Sequence, residues 1–232
     1  MNPKDFYDRT AEIYDGRHDN ATARRICHME EKLIKKYTNG LVLDIGCGTG
    51  GHLKFADWIG IDVSKNMLAT ARKKSDVNLS AARAEFLPFR DESLDSLCMF
   101  NVLNLCDAEQ ACREAARVVK RNGVAIVSAT SAWDRKNISF FRRLFSKPVS
   151  FQKNVRIEKS RLRFHLFSRN ELIGLFAGNG FTLLHFDGLY SLQQPYWGWH
   201  REFTLLEKFR LKLERVMPKH PARVYFCVFR RR

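Results

Sequence analysis

Along the first half of the chain, the spacing of hydrophobic positions switches repeatedly between two and about 3.6 residues, the mark of strands alternating with helices. Over residues 20–38 (NATARRICHMEEKLIKKYT), Ala23, Ile26, Cys27, Glu30, Ile34 and Tyr37 fall on one mostly apolar helical face, and Asn20 supplies a polar start. Gly40 stops that helix, and LVLDIG (41–46) predicts a short buried strand. WIGIDV (58–63) predicts a second strand, with Ser64 as N-cap of a helix over KNMLATARKK. A third strand is expected near 77–82, a fourth over LDSLCMFNV (94–102) and a fifth over GVAIVSAT (123–130). Between the last two, Asp107 caps a helix running to about Arg121, which Gly123 follows.

Parallel strands need crossover connections, so this order implies a largely parallel sheet with helices on both faces. Ligands of such sheets bind beyond the carboxyl ends of the strands, at the switch point. The second half is less regular. SRNELIGLFAGNG (168–180) has Ser168 and Glu171 at capping-box spacing and closes at Gly180. FTLLHFD (181–187) and ARVYFCVFR (222–230) read as two further strands paired at one edge. The excursion between them, 188–221, contains a predicted amphipathic helix, 201–216.

The chain has 232 residues, 45% of them hydrophobic and 12% aromatic, enough for a sizeable core in one domain spanning 1–232. The apolar runs are too short to cross a bilayer, and MNPKDFYDRTAEIYD lacks the apolar centre of a signal peptide, so a cytoplasmic protein is expected. Cys27, Cys47, Cys98, Cys106, Cys112 and Cys227 show no metal-ligand spacing and read as reduced, buried thiols; no metal is expected. Charge divides the chain. Residues 1–132 carry 19 Lys/Arg against 18 Asp/Glu, whereas residues 133–232 carry 21 against 7. A near-neutral front and a strongly basic back suggest separate tasks, the second toward an anionic partner.

The chemistry concentrates in VLDIGCGTG (42–50), where a strand runs into a turn with glycine at 46, 48 and 50. Such a turn lets a ligand approach the backbone closely. Gly51 completes G-x-G-x-x-G, so the glycines alone also suit a dinucleotide. Asp44, two residues ahead of Gly46, would oppose a pyrophosphate but suits a ligand bearing an ammonium and a sulfonium. No Lys-Ser/Thr pair follows, which excludes a P-loop. Asp62, at the end of the second strand, can accept from both hydroxyls of a ribose.

Together, VLDIGCGTG, GIDVS (60–64), AEFLPF (84–89) and NVLNL (101–105) resemble motifs of class I S-adenosylmethionine (AdoMet)-dependent methyltransferases, in the branch with the ubiquinone and menaquinone enzymes. The resemblance covers roughly residues 6–187. It implies a Rossmann-like, largely parallel seven-stranded α/β sheet with an antiparallel edge strand, and AdoMet as cofactor. The cofactor-binding set it implies is Asp44, Gly46, Cys47, Gly48, Asp62, Val63, Met67, Glu85, Leu87, Asn101 and Tyr14. Asp44, Gly46 and Gly48 line the methionine part, Asp62 holds the ribose, and Met67 and Leu87 lie by the adenine. Asn101 points toward the transferred methyl, and Tyr14, in the lid-like FYDRTAEIYD (6–15), closes over the cofactor, with Tyr7 as a second aromatic there. One departure stands out: where the family often has Gly-Asp-Ala, with the Asp on the adenine amine, this chain has Ala82-Arg83-Ala84, so that contact is missing or comes from Glu85.

In-line transfer needs the acceptor held at about 3–3.5 Å, and a general base only where the acceptor loses a proton. His18, His165 and His200 are the candidate bases; no catalytic residue is assigned. Basic insertions at about 133–163 and 188–221 lie on the substrate side, the first interleaving Arg/Lys with Phe140, Phe141, Phe145 and Phe151. That mixture suits RNA, through phosphate contacts and base stacking. RFHLFSRNEL (163–172) is also similar to a segment of tRNA wobble-uridine methyltransferases, whose N-terminal pattern this chain lacks. A small-molecule or lipid-like acceptor is the equal alternative, with helix 201–216 resting on an anionic membrane. An NAD-dependent oxidoreductase shares the glycine spacing and Asp62 but conflicts with Asp44, and an inactive RNA-binding module would keep the fold alone.

Overall fold

The computed structural model describes residues 1–18, 20–53, 57–132, 151–157, 160–189 and 222–232. Helix α1 (Pro3–Thr10) is capped by Asn2, and a single 3₁₀ turn leads to α2 (Tyr14–His18). Asn20 caps α3 (Ala21–Tyr37) by accepting from the Ala23 N–H. Then come β1 (Val42–Ile45), β2 (Trp58–Asp62), α4 (Lys65–Arg72), β3 (Asn78–Ala81) and β4 (Leu94–Phe100). The second half adds α5 (Ala108–Val118), β5 (Val119–Thr130), β6 (Phe151–Ile157), β7 (Ser160–Leu166), α6 (Arg169–Gly178), β8 (Phe181–Leu189) and β9 (Val224–Arg231).

Seven strands form one sheet in the order β3-β2-β1-β4-β5-β9-β8. The first five are mutually parallel, and β9 runs antiparallel to both neighbours. The antiparallel strand therefore stands one place in from the margin, between β5 and β8. The order in which strands are added reverses between β1 and β4, which puts the switch point beside the glycine turn. Alternation divides the core. Leu43, Ile45, Leu97, Met99, Ala125 and Val127 face the α5 and α6 side. Val42, Cys98, Val124, Ile126 and Val228 face α3, which contributes Ile26, Leu33 and Ile34. Burial of each such side chain is worth about 1.5–3 kcal/mol. Among the described residues no helix is long and apolar enough to cross a membrane.

Two boundaries differ from the sequence reading. Helix α5 ends at Val118 rather than near Arg121, because Val119 is already extended (φ −78°, ψ 133°) and pairs with Leu94. The two β-branched valines are fully buried and gain more in the sheet than from another helical turn. Gly123 consequently sits inside β5, where a Cβ would lie 2.6 Å from Val119 Cγ1 and 2.8 Å from the Asp95 carbonyl oxygen. It serves a close approach rather than a helix stop.

The larger surprise is the two-stranded β6–β7 hairpin, in the basic stretch read only as an insertion. Its register sets Val155 opposite Leu162, Lys153 opposite Phe164 and Arg156 opposite Arg161. Alternation puts Leu162, Phe164 and Leu166 on one side of it and Arg163 and His165 on the other. Leu162 is fully buried against Phe6 of α1, with Tyr7 and Phe164 around them. The proposed helix 201–216, His200, Arg142, Arg143 and the phenylalanines at 140, 141 and 145 lie outside the described residues.

Candidate active site

At the carboxyl end of β1 the backbone turns through Gly46 (φ +71°), Gly48 (φ +54°) and Gly50 (φ +82°). All three are in the left-handed region that side chains disfavour. A Cβ on Gly46 would run into the Val102 side chain, whereas one on Gly48 would meet no protein atom within 4 Å. Gly46 is therefore fixed by packing, and Gly48 leaves room in front of the loop. The N–H groups of Gly46 and Cys47 both donate to the Ile61 carbonyl, at 2.8 and 2.9 Å, tying the turn to the end of β2.

Asp62, 8% exposed, holds this junction. Its Oδ2 accepts from Gly48 N–H at 2.9 Å and its Oδ1 from Ser64 N–H at 2.8 Å. A carboxylate offers about four acceptor positions, so two remain for further donors. Burial raises its pKa more than these N–H groups lower it. Val63 follows, half-buried, and Ser64 caps α4 by accepting from Met67 N–H at 3.1 Å. Met67 is 1% exposed in the first turn of α4.

Asp44 projects from β1 toward the α3 side and is 2% exposed. Burial pushes its carboxyl up to about 7; charged His52 opposes the shift, and the Glu30 and Asp62 carboxylates add to it. Glu30, on the apolar face of α3, is itself 4% exposed. Its Oε1 accepts from Ser128 Oγ at 2.7 Å and its Oε2 lies 3.1 Å from His52 Nε2. The His52 ring packs on Phe100 with centroids 4.8 Å apart. The sequence reading missed His52 and gave Glu30 no role. The available signals were a lone carboxylate on an apolar helical face and a histidine directly after Gly51.

Asn101 takes φ +57° at the end of β4. Its N–H donates to the Ser128 carbonyl at 2.9 Å, its Nδ2 to Ser128 Oγ at 3.3 Å, and its Oδ1 accepts from Thr130 Oγ1 at 3.2 Å. The side chain is thus bound back onto β5, and a polar chain runs Asn101–Ser128–Glu30–His52. Tyr14 reaches the same pocket from the N-terminal segment. Burial and the nearby carboxylates of Asp62, Glu30 and Asp15 raise its hydroxyl pKa. That segment is pinned to both lips of the pocket. Asp15 accepts from Thr49 Oγ1 at 2.6 Å and pairs with Lys74; Asp8 accepts from Ser64 Oγ at 2.7 Å and Asn66 N–H at 3.2 Å.

Glu85 and Leu87 lie apart from this cluster, on the loop after β3. Both Glu85 oxygens are engaged, by Arg83 at 3.0 and 3.4 Å and by Asp107 N–H at 3.3 Å. The Arg83 side chain is 64% exposed. Glu85 thus links Arg83 to the start of α5. Leu87 is buried, and its N–H donates to Glu114 Oε2 at 2.7 Å. Of the candidate bases, His165 bonds through Nε2 to Glu171 Oε1 at 2.8 Å.

A methyltransferase-domain family model matches residues 43–127, from β1 into β5, the stretch that carries the glycine turn, Asp62 and Asn101. The ubiquinone/menaquinone biosynthesis C-methyltransferase UbiE of Geotalea uraniireducens is 29% identical over 185 residues, 67% of this chain and 77% of that protein. Residues 43–127 are a methyltransferase domain of the class I AdoMet-dependent type. The uncharacterized protein MJ1252 of Methanocaldococcus jannaschii is 37% identical over 140 residues, covering 59% of this chain. The match spans only 55% of MJ1252. An AdoMet-dependent methyltransferase of Clostridium acetobutylicum, solved by crystallography, shares the fold with a TM-score of 0.59 at 15% identity, over 97% of this chain and 98% of that one.

AdoMet is the cofactor of this family, and the methyltransferase pocket fits it. Three buried carboxylates, Asp44, Glu30 and Asp62, surround a site that suits a ligand with positive sulfur and nitrogen. The side-chain-free backbone at Gly48 accommodates close approach, and Asp62 retains acceptor capacity for the ribose hydroxyls.

Proposed function

We propose that the protein is an active AdoMet-dependent methyltransferase whose acceptor is RNA. Bound AdoMet supplies an activated methyl group on a sulfonium. Asp44, backed by Glu30 and His52, binds the methionine ammonium, and Asp62 takes the ribose. Met67 and Leu87 pack beside the adenine, whose amine is left to backbone groups because Arg83 occupies Glu85. Tyr14 closes the pocket and excludes water. Asn101, held by Ser128 and Thr130, shapes the passage between methyl and acceptor.

The observation that carries the RNA reading is the β6–β7 hairpin. Its Leu162 and Phe164 are seated on Phe6 and Tyr7 of α1, and alternation leaves the exposed Arg163 on the other side. The basic sequence of this stretch offers phosphate contacts to a polyanion on that side. The test incubates the protein with labelled AdoMet and separated cell fractions. Label entering RNA supports the reading. Label entering quinones or lipids instead favours the alternative suggested by the UbiE relationship, a small apolar acceptor.

A further inference from the structure

Cys27 and Glu31 lie one turn apart on α3, so their side chains share a face. The segment after the glycine turn brings His52 to the same place. One ligand atom from each of the three lies within 4.8 Å of the others. Cys27 Sγ stands 3.8 Å from Glu31 Oε1. The imidazole is divided between two environments: Nε2 lies 3.1 Å from the Glu30 carboxylate, while Nδ1 is buried with no hydrogen-bond partner among the described residues. A buried polar atom left so costs roughly 1–3 kcal/mol, and such exceptions call for a cause.

We propose that Cys27, Glu31 and His52 form a binding site for a zinc-type divalent metal ion, with Glu30 orienting the imidazole. Thiolate, carboxylate and imidazole are zinc's ordinary donors, and the thiolate selects against magnesium and calcium. In the neutral ring, with Nε2–H donating to Glu30, the lone pair sits on Nδ1. A carboxylate behind a metal-bound histidine is the usual supporting arrangement. Tetrahedral bonds of about 2.0–2.3 Å set the donor atoms roughly 3.5 Å apart. Closure by about 1 Å is within reach of side-chain rotation at Cys27 and Glu31, both only half-buried. Binding displaces the thiol proton and the Nδ1 proton of charged His52 to solvent, and water takes the fourth position. The ion would tie α3 to the glycine turn and stiffen the cofactor pocket from behind. Spacing in the sequence conceals the site, because the third ligand comes from a different element.

The full chain, stripped with a chelator, is titrated with Zn²⁺ against a chromophoric competitor and separately loaded with Co²⁺. The parent should bind one equivalent and gain thermal stability. Cys27→Ser and His52→Ala should each weaken binding by more than the roughly 10–100-fold expected of Glu30→Gln. The cobalt-loaded parent should show a thiolate-to-metal charge-transfer band that Cys27→Ser lacks. Absence of metal binding by the parent, a cobalt spectrum without that band, or equal affinity in all variants overturns the site. So does a His52→Ala protein whose sole defect is weaker AdoMet binding, which would assign the imidazole to the cofactor.

Discussion

Asp62 and Asp44 are both buried carboxylates raised by desolvation, yet their surroundings differ. Asp62 is held by two backbone N–H donors and also locks the glycine turn to α4. Asp62→Ala removes those bonds and the proposed ribose acceptor together; each hydrogen bond to a charged group is worth about 1.5–3 kcal/mol. Calorimetry should show AdoMet affinity falling at least about 100-fold, while circular dichroism shows the fold retained. At Asp44 desolvation raises the pKa from 3.8 to about 7. A raised acid contributes stability that is complete below the unfolded value and is lost as pH climbs through about 7. A cationic ligand prefers the ionised form, so its affinity moves the other way. Between about pH 4 and pH 7 the Tm of the free protein should fall while the Tm gain on adding AdoMet grows, and Asp44→Asn should flatten both trends. Both aspartates were legible in the sequence, because a glycine turn after a buried strand fixes their place. Glu30 and His52 were not, since their meeting depends on α3 crossing the sheet at β5, which no local pattern encodes.

Among the elements, the hairpin and the N-terminal segment depend on each other. Phe6 and Leu162 are 2% and 0% exposed because each covers the other. Leu162→Ala should therefore loosen α1 as well as the hairpin, at about 2–5 kcal/mol for a truncated core leucine. Limited proteolysis would detect earlier cleavage near residues 1–18, and AdoMet binding should weaken as Tyr14 loses support. An unchanged digestion pattern would show that Asp8 and Asp15 hold the segment unaided. The strands β1 to β5 and helices α3 and α4 were readable because each keeps one period through its length. The α5–β5 boundary was misjudged because Gly123 looks like a helix stop until Val119 is seen paired to Leu94. The hairpin was hidden by its charge. Leu162, Phe164 and Leu166 do alternate with Arg161, Arg163 and His165, but Lys153 interrupts the apolar side of the facing strand.

At the scale of the whole molecule, the division of charge makes a prediction separable from the chemistry. The near-neutral front carries the cofactor pocket, and the excess of 21 Lys/Arg over 7 Asp/Glu lies beyond residue 132. If the basic part neutralises phosphates, log affinity for RNA falls linearly with log salt, with a slope of roughly −0.7 per contact on single strands. Arg156→Glu, Arg161→Glu and Arg163→Glu combined should weaken RNA binding and make that slope shallower by about two units. The exchange leaves the buried carboxylates around Gly48 untouched, so AdoMet affinity should remain at the parental value. A parent that binds no RNA at low salt would remove the RNA acceptor while leaving the cofactor site standing. Loss of AdoMet affinity in the triple variant would instead mean that the hairpin acts through α1 and the pocket lid. Measuring both ligands on the same protein thus separates recognition of the polyanion from support of the cofactor.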